Sequence, residues 1–256
     1  MKRFPFILLL LSLALSCVGQ KDDAEDDYNQ GSVPGTETAG NALVIDFTAT
    51  WCVNCPRMTS AIEEAMADRP GEIVPLCVHY ADPFASDDGL SLVQRFAIQA
   101  YPSAIVDMDP TSLTTATSKE LLLSRVDERK GRKKAACLLE VSASAPADGE
   151  LAVSVQVSAR ADGAYALWVF LVEDGLVAAQ TGGSETQVHN HLLRRFLHTG
   201  ADGDALGTLS KDASASWNAS FDNLTLSPAH RIIALVTEAD TGLVNTVVSV
   251  PVSPAS

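Results

Sequence analysis

The sequence is poor in positive charge. It has 18 Lys and Arg against 32 Asp and Glu, a formal net charge of −14 over 256 residues. Nucleic-acid binding draws on a basic surface facing phosphates, so this balance excludes a generic nucleic-acid binder. Cysteine is also scarce. Five residues are too few for a scaffold of dense disulfides, and an odd count leaves one thiol to explain. No apolar run approaches the roughly 20 residues of a membrane-spanning helix; the apolar stretch at residues 4–15 stops short of it. Apolar content itself is ordinary. Hydrophobic residues make up 46% and charged residues 20% of the chain, enough buried area to offset chain entropy in one or two domains.

The start is organised like an address. Lys2 and Arg3 precede the apolar stretch, and the small residue Ser16 precedes Cys17, the order of a secretory signal. The exit Leu13-Ala14-Leu15-Ser16-Cys17 resembles a bacterial lipobox. That resemblance implies a signal peptide over residues 1–16 and lipidation of Cys17, which accounts for the odd cysteine and gives a membrane partner through acyl chains. The acidic run after Lys21 is a solvated segment that does not fold. It is a plain tether or, by its resemblance to the Lys-then-acidic signal of some surface lipoproteins, an export mark. Val18 in place of Asp after the cysteine resembles outer-membrane sorting. Residues 17–40 are therefore expected as an acidic flexible tether, with the surface and periplasmic faces both open.

Chemistry concentrates in residues 41–134. The apolar, β-branched run at 43–48 reads as a buried strand. Trp51-Cys52-Val53-Asn54-Cys55-Pro56 follows at once, and Met58, Ile62, Ala65 and Met66 then recur at helical spacing. Two residues between cysteines at a helix start bring the sulfurs within disulfide reach. The positive end of the helix favours a thiolate at Cys52, making it the nucleophile and Cys55 the resolving thiol. Pro56 suits the first turn. Further elements read as a strand at 72–80, a helix at 89–97, a strand at 104–108 behind Pro102, and a helix at 118–130. Zinc at Cys52 and Cys55 would need two more ligands near by, and the nearest, Cys77 and His79, fall on a separate strand. Cys77 reads as a buried thiol, with a Cys77–Cys137 bridge open in an oxidising compartment.

This order, with Val44-Ile45-Asp46-Phe47-x-Ala49-x-Trp51-Cys52-x-x-Cys55, resembles the thioredoxin family. The resemblance implies that Asp46 is the buried acid relaying a proton to the resolving cysteine. It also implies that Pro102 is in cis beside the cysteine pair, and that Trp51, Tyr101 and Pro102 meet the substrate. No soluble cofactor and no metal are implied, since the cysteines carry the electrons.

Arg125, Arg129, Lys130, Arg132, Lys133 and Lys134 form the one basic cluster. It reads as a helix end complementing its dipole and then a linker, with a patch for anionic partners as the alternative. From residue 135 to 256 the pattern turns to alternation, as in Leu151, Val153, Val155 and Val157, with turn signals between runs. About seven short strands with regular turns read as an antiparallel, immunoglobulin-like sandwich. The fold class expected is thus an α/β thioredoxin-like domain followed by an all-β sandwich domain. His189 and His191 could share a strand face as metal ligands, but His198 is too loosely placed to make a third.

The stretch His189-Asn190-His191-Leu192-Leu193-Arg194, together with Cys52-Val53-Asn54-Cys55-Pro56, resembles the outer membrane protein 28 related lipoproteins of Gram-negative bacteria. The activity expected is thiol–disulfide exchange on exported proteins. The alternative is a non-enzymatic surface or adhesion lipoprotein in which Cys52–Cys55 braces the fold.

Overall fold

The computed structural model describes residues 40–133, 136–145, 150–222, 224, 226–227 and 229–254. The expected signal peptide, the expected lipidation site Cys17, the expected tether up to residue 39 and Lys134 lie outside the described residues.

The first half alternates strands and helices: β1 (Ala42–Thr48), α1 (Cys55–Asp68), β2 (Ile73–His79), α2 (Asp87–Arg95), β3 (Ser103–Val106) and α3 (Lys119–Arg132), with a 3-10 turn at Pro110–Ser112. The helix starts are chemically marked. Ser86 accepts the Gly89 amide at the head of α2, and Ser118 accepts the Leu121 amide at the head of α3. The second half is all strand: β4 (Leu138–Ala145), β5 (Leu151–Ser158), β6 (Gly163–Glu173), β7 (Leu176–Ala178), β8 (Gln187–His189), β9 (Leu192–Phe196), β10 (Asp204–Leu209), β11 (Ser214–Phe221), β12 (His230–Glu238), β13 (Val244–Pro251) and β14 (Ser253–Pro254). The short strands β7 to β10 carry little apolar alternation and were not legible in the sequence.

The expected fold class, a thioredoxin-like α/β domain followed by a separate all-antiparallel sandwich, does not hold. One eight-stranded sheet runs through both halves in the order β13-β12-β6-β9-β2-β1-β3, with β10 added on β6. The seam is narrow. Cys77 of β2 pairs in parallel with Leu192 of β9, and the Cys77 amide donates to the His191 carbonyl at 2.8 Å. Parallel pairing also joins β14 to β4, so the second half is not purely antiparallel.

The physical reason lies in β1, which is buried along its whole length. Its Ala42 and Val44 face one way and join Met58, Ile62 and Ala65 of α1 and Leu122 and Val126 of α3 in one core. Its Leu43, Ile45 and Phe47 face the other way. Their core contains Leu92 of α2 and Phe96 just beyond its end, but also Trp168 and Phe170 of β6, Ile233 and Leu235 of β12, and Val244 and Val247 of β13. A strand apolar on both faces must be covered on both, and the second half supplies much of that cover. The other faces of β6 and β12 pack with Val153, Val155 and Val157 of β5 in a further core, beneath the four-stranded sheet β11-β5-β4-β14.

The basic cluster is only partly a solvated helix end. Arg129 and Lys133 turn inward, with side chains 7% and 1% exposed. Lys133 Nζ lies 2.9 Å from the Asp107 carboxylate and donates to the Asn41 carbonyl at 2.9 Å. Arg129 lies between Asp107 at 3.9 Å and Asp109 at 3.6 Å. Asp107 also accepts the Leu43 amide at 2.8 Å, and its own carbonyl accepts the Val244 amide at 3.0 Å. The ion cluster thus ties β1, α3 and β13 together.

Candidate functional site

β1 ends at Thr48, and the chain makes two successive turns before α1. The Cys52 amide donates to the Ala49 carbonyl at 3.1 Å, and the Cys55 amide to the Cys52 carbonyl at 3.4 Å. Cys52 and Cys55 are joined by a disulfide, with Cα atoms 5.4 Å apart. Cys55 opens α1 and Pro56 sits in its first turn. Asn54 makes no side-chain cap and the first turn has no acid, so the positive end of the helix is left to act on Cys52. Both sulfur residues are covered: Cys52 is 5% and Cys55 1% exposed, packed with Ala49 and Tyr101.

Asp46 is fully buried, and neither carboxylate oxygen has a hydrogen-bond partner among the described residues. Strand alternation puts it on the α1-facing side of β1, two residues beyond Val44 toward the helix start. Burial pushes its pKa up from 3.8 to about 7. Its register partner across the sheet is Cys77. That thiol is free, and burial, aided by the Asp46 charge, holds its pKa well above the ordinary thiol value. Cys137 is also a free thiol, so the Cys77–Cys137 bridge left open by the sequence is not formed.

The Tyr101–Pro102 bond is cis. Tyr101 stacks on Tyr80 with centroids 5.2 Å apart and meets the edge of Trp51 at 5.6 Å. Trp51, 48% exposed, donates its indole N–H to the Tyr80 carbonyl at 3.1 Å. The structure therefore brings Trp51, Tyr101, Pro102 and the disulfide to the end of the sheet where β1 and β2 finish.

Two residues of this site carried no signal that the sequence reading used. Asp82 is nearly sealed from solvent. It accepts the Thr50 amide at 2.8 Å and the Phe84 amide at 2.9 Å, and contacts His79 Nδ1 at 2.6 Å. Burial raises its pKa, but the His79 contact and the two amide bonds outweigh burial and leave it below the usual value. Its contribution to stability is present above the ordinary carboxylate range and lost as acid protonates it. Asp82→Ala, which strands two half-buried amide donors, is expected to cost about 2 kcal/mol in urea unfolding at neutral pH, with the deficit shrinking below about pH 4. A pH-independent deficit would refute the charged role. The Asp before Pro83 could have been read as a turn, but not as the anchor of the cysteine loop.

The other is Gln180, from the loop between β7 and β8. Its side-chain amide donates to the Cys52 carbonyl at 2.9 Å, the Ala49 carbonyl at 3.2 Å and the Thr181 carbonyl at 3.1 Å. The Thr181 amide donates to the Thr50 carbonyl at 2.8 Å. Behind this loop is a cavity of about 30 Å³ lined by Thr48, Thr59, Cys77, His79, Gln180 and His189, among others.

The His-Asn-His stretch serves as a joint. His189 ends β8 and packs its ring on His79 and Phe84. His191 has φ +60 and lies in the turn to β9, where Asp174 accepts its amide at 2.7 Å. The two histidines are thus not on one strand face. His198 lies apart, stacked on Phe196. Among the described residues, no three or more His, Cys, Asp and Glu side chains are grouped to hold a metal ion. No helix among them is long and apolar enough to cross a membrane.

No protein-family model and no curated protein matches the sequence. Solved structures do match. HBP35 of Porphyromonas gingivalis has a TM-score of 0.70 at 17% identity, over 86% of this chain and 78% of that chain. Protein AGR_C_4864 from Agrobacterium tumefaciens has a TM-score of 0.51 at 17% identity, over 84% of this chain and 95% of that chain. A domain of the outer membrane lipoprotein Omp28 from Porphyromonas gingivalis has a TM-score of 0.33 at 18% identity, over 47% of this chain and 90% of that chain. At these identities the likeness is one of fold, and for HBP35 it extends over most of the chain.

Proposed function

We propose that the protein performs thiol–disulfide exchange on exported proteins while anchored at the outer membrane through lipid on Cys17. The observation that carries the exchange reading is a Cys52–Cys55 pair at an uncapped helix start, together with a buried Asp46 on the strand that leads into it, whose pKa stands near 7. The anchoring reading rests on the lipobox-like residues 13–17 and the tether after them. Kinship with the outer membrane protein 28 related lipoproteins belongs to the same proposal and rests on the two short motifs.

In the reducing direction, the Cys52 thiolate attacks a substrate disulfide, forming a mixed disulfide and releasing one substrate thiolate. Cys55 then gives its proton to Asp46 and attacks the Cys52 sulfur. The second substrate thiolate leaves and is protonated, and the protein ends as the Cys52–Cys55 disulfide. Two electrons pass to the substrate. The reverse sequence oxidises a substrate dithiol. Trp51 and Tyr101 flank the sulfur pair and form the surface a substrate chain would meet, with Pro102 buried beside Tyr101.

A second reading is that the disulfide braces a binding module, and the burial of Cys52 favours it. Redox titration of Cys52–Cys55 separates the two, with Cys55→Ser used to trap mixed disulfides on Cys52. A midpoint between about −270 and −120 mV with trapped periplasmic partners is the expected result. A midpoint below about −300 mV with no trapped partner would establish the brace.

A further inference from the structure

Residues 180–183 reach the cysteine loop from about 130 residues downstream, a separation at which loop-closure entropy disfavours contact unless something else holds it. The hydrogen bonds that hold them there go to backbone carbonyls. The Gln180 amide takes the carbonyls of Ala49 and Cys52, the two that accept the successive turns around the nucleophile. Thr181 adds the backbone bond to Thr50. Gly182, at φ +77, lies so close to Val53 that a Cβ there would meet the Val53 carbonyl oxygen at 2.2 Å. Only glycine fits, both for that approach and for the left-handed backbone. Gln180 is itself buried, whereas residues 181–186 are exposed. The amide is therefore seated while the chain around it is open to solvent.

We propose that Gln180 is a positioning residue for the disulfide site, holding the turns from Ala49 to Cys55 in the geometry of the closed pair when the sulfurs are reduced. This rests on the exchange reading. In the oxidised protein the S–S bond itself constrains the loop. In the dithiol that constraint is gone, and the bonds to the Cys52 and Ala49 carbonyls are what keep Cys52 facing Cys55. Preorganising two groups raises their effective concentration toward one another. The bonds from Gln180 thus favour ring closure and hold the reduction potential down. The second half of the chain thereby sets the redox poise of a site whose sulfurs belong to the first.

The test equilibrates the protein in glutathione buffers, where protein dithiol and oxidised glutathione exchange two electrons and two protons to give protein disulfide and two reduced glutathiones. The fraction oxidised is counted by alkylation and mass spectrometry. Gln180→Met keeps the volume and removes the donors. It is expected to lower the equilibrium constant for closure about tenfold, a rise of about 30 mV. Gly182→Ala, which lifts the loop from the other side, is expected to move the midpoint the same way. An unchanged midpoint in both variants, even with a lowered Tm, would make Gln180 a structural brace and overturn the proposal. If the wild-type protein itself fails to exchange with glutathione, the exchange reading falls first and this inference falls with it.

Discussion

Asp46→Asn is expected to make the oxidised protein more stable at pH 8, by up to about 4 kcal/mol. The folded carboxyl is held at about 7 by burial, against 3.8 when the chain is unfolded. Between those values the unfolded chain ionises Asp46 and the folded protein does not. Stability from this group is therefore intact below about pH 4, falls by about 1.4 kcal/mol per pH unit up to about 7, and is level beyond. The isosteric amide removes that loss. Denaturant unfolding at pH 4, 6 and 8 with the disulfide intact checks it: the gain should be absent at the lowest pH and greatest at the highest. An equal gain at every pH would mean that charge is not its cause. On the exchange reading, the same substitution also removes the group proposed to take the Cys55 proton. The rate of exchange should then fall, and its inflection near pH 7 should vanish.

Lys133→Met acts in the opposite sense. Lys133 is sealed against Asp107, which is itself fully buried and loses its nearest cation when the ammonium goes; Arg129 remains 3.9 Å away. Removing one partner of a buried pair costs about 3 kcal/mol or more. Burial already raises the pKa of Asp107 against the pull of Lys133. In the variant that rise is larger, so the deficit should be greatest at neutral pH and shrink as acid neutralises Asp107. Asp107→Asn added to Lys133→Met should restore part of the loss, because the stranded charge is gone. Additive losses in the double variant would show that the two residues do not act as a pair.

These two positions also show what a sequence can and cannot disclose. Asp46 was legible because its signal is local. It lies six residues before Cys52 in a single strand-to-helix passage, and period and motif speak over that range. Pro102 was legible by the same kind of motif. Lys133 was visible as a charge, yet its burial depends on Asp107 and Asn41, far away in the chain, so a run of cations read as a solvated helix end. Gln180 and Asp82 are polar residues in loops, where composition says only that a turn exists. The fold class expected from the change of pattern near residue 135 failed for a related reason. Alternation reports which side chains share a face, but not which distant strand covers that face. Leu43, Ile45 and Phe47 announced a need for cover without naming β6, β12 and β13 as its source.

The shared core has a consequence for how such a chain is made. Ribosomes and export channels deliver protein from the N-terminus, and domains ordinarily close as they emerge. Here β1 is among the first strands to appear, while Val244 and Val247, which close its second face, arrive about 200 residues later, a separation of the kind that slows folding. Until then Leu43, Ile45 and Phe47 have only the part of their cover that Leu92 and Phe96 supply. The cysteine loop would likewise wait for Gln180. On the proposed function, such a chain would need cover for that face while it is exported, and exchange at its sulfurs would begin only once the Gln180 loop is seated.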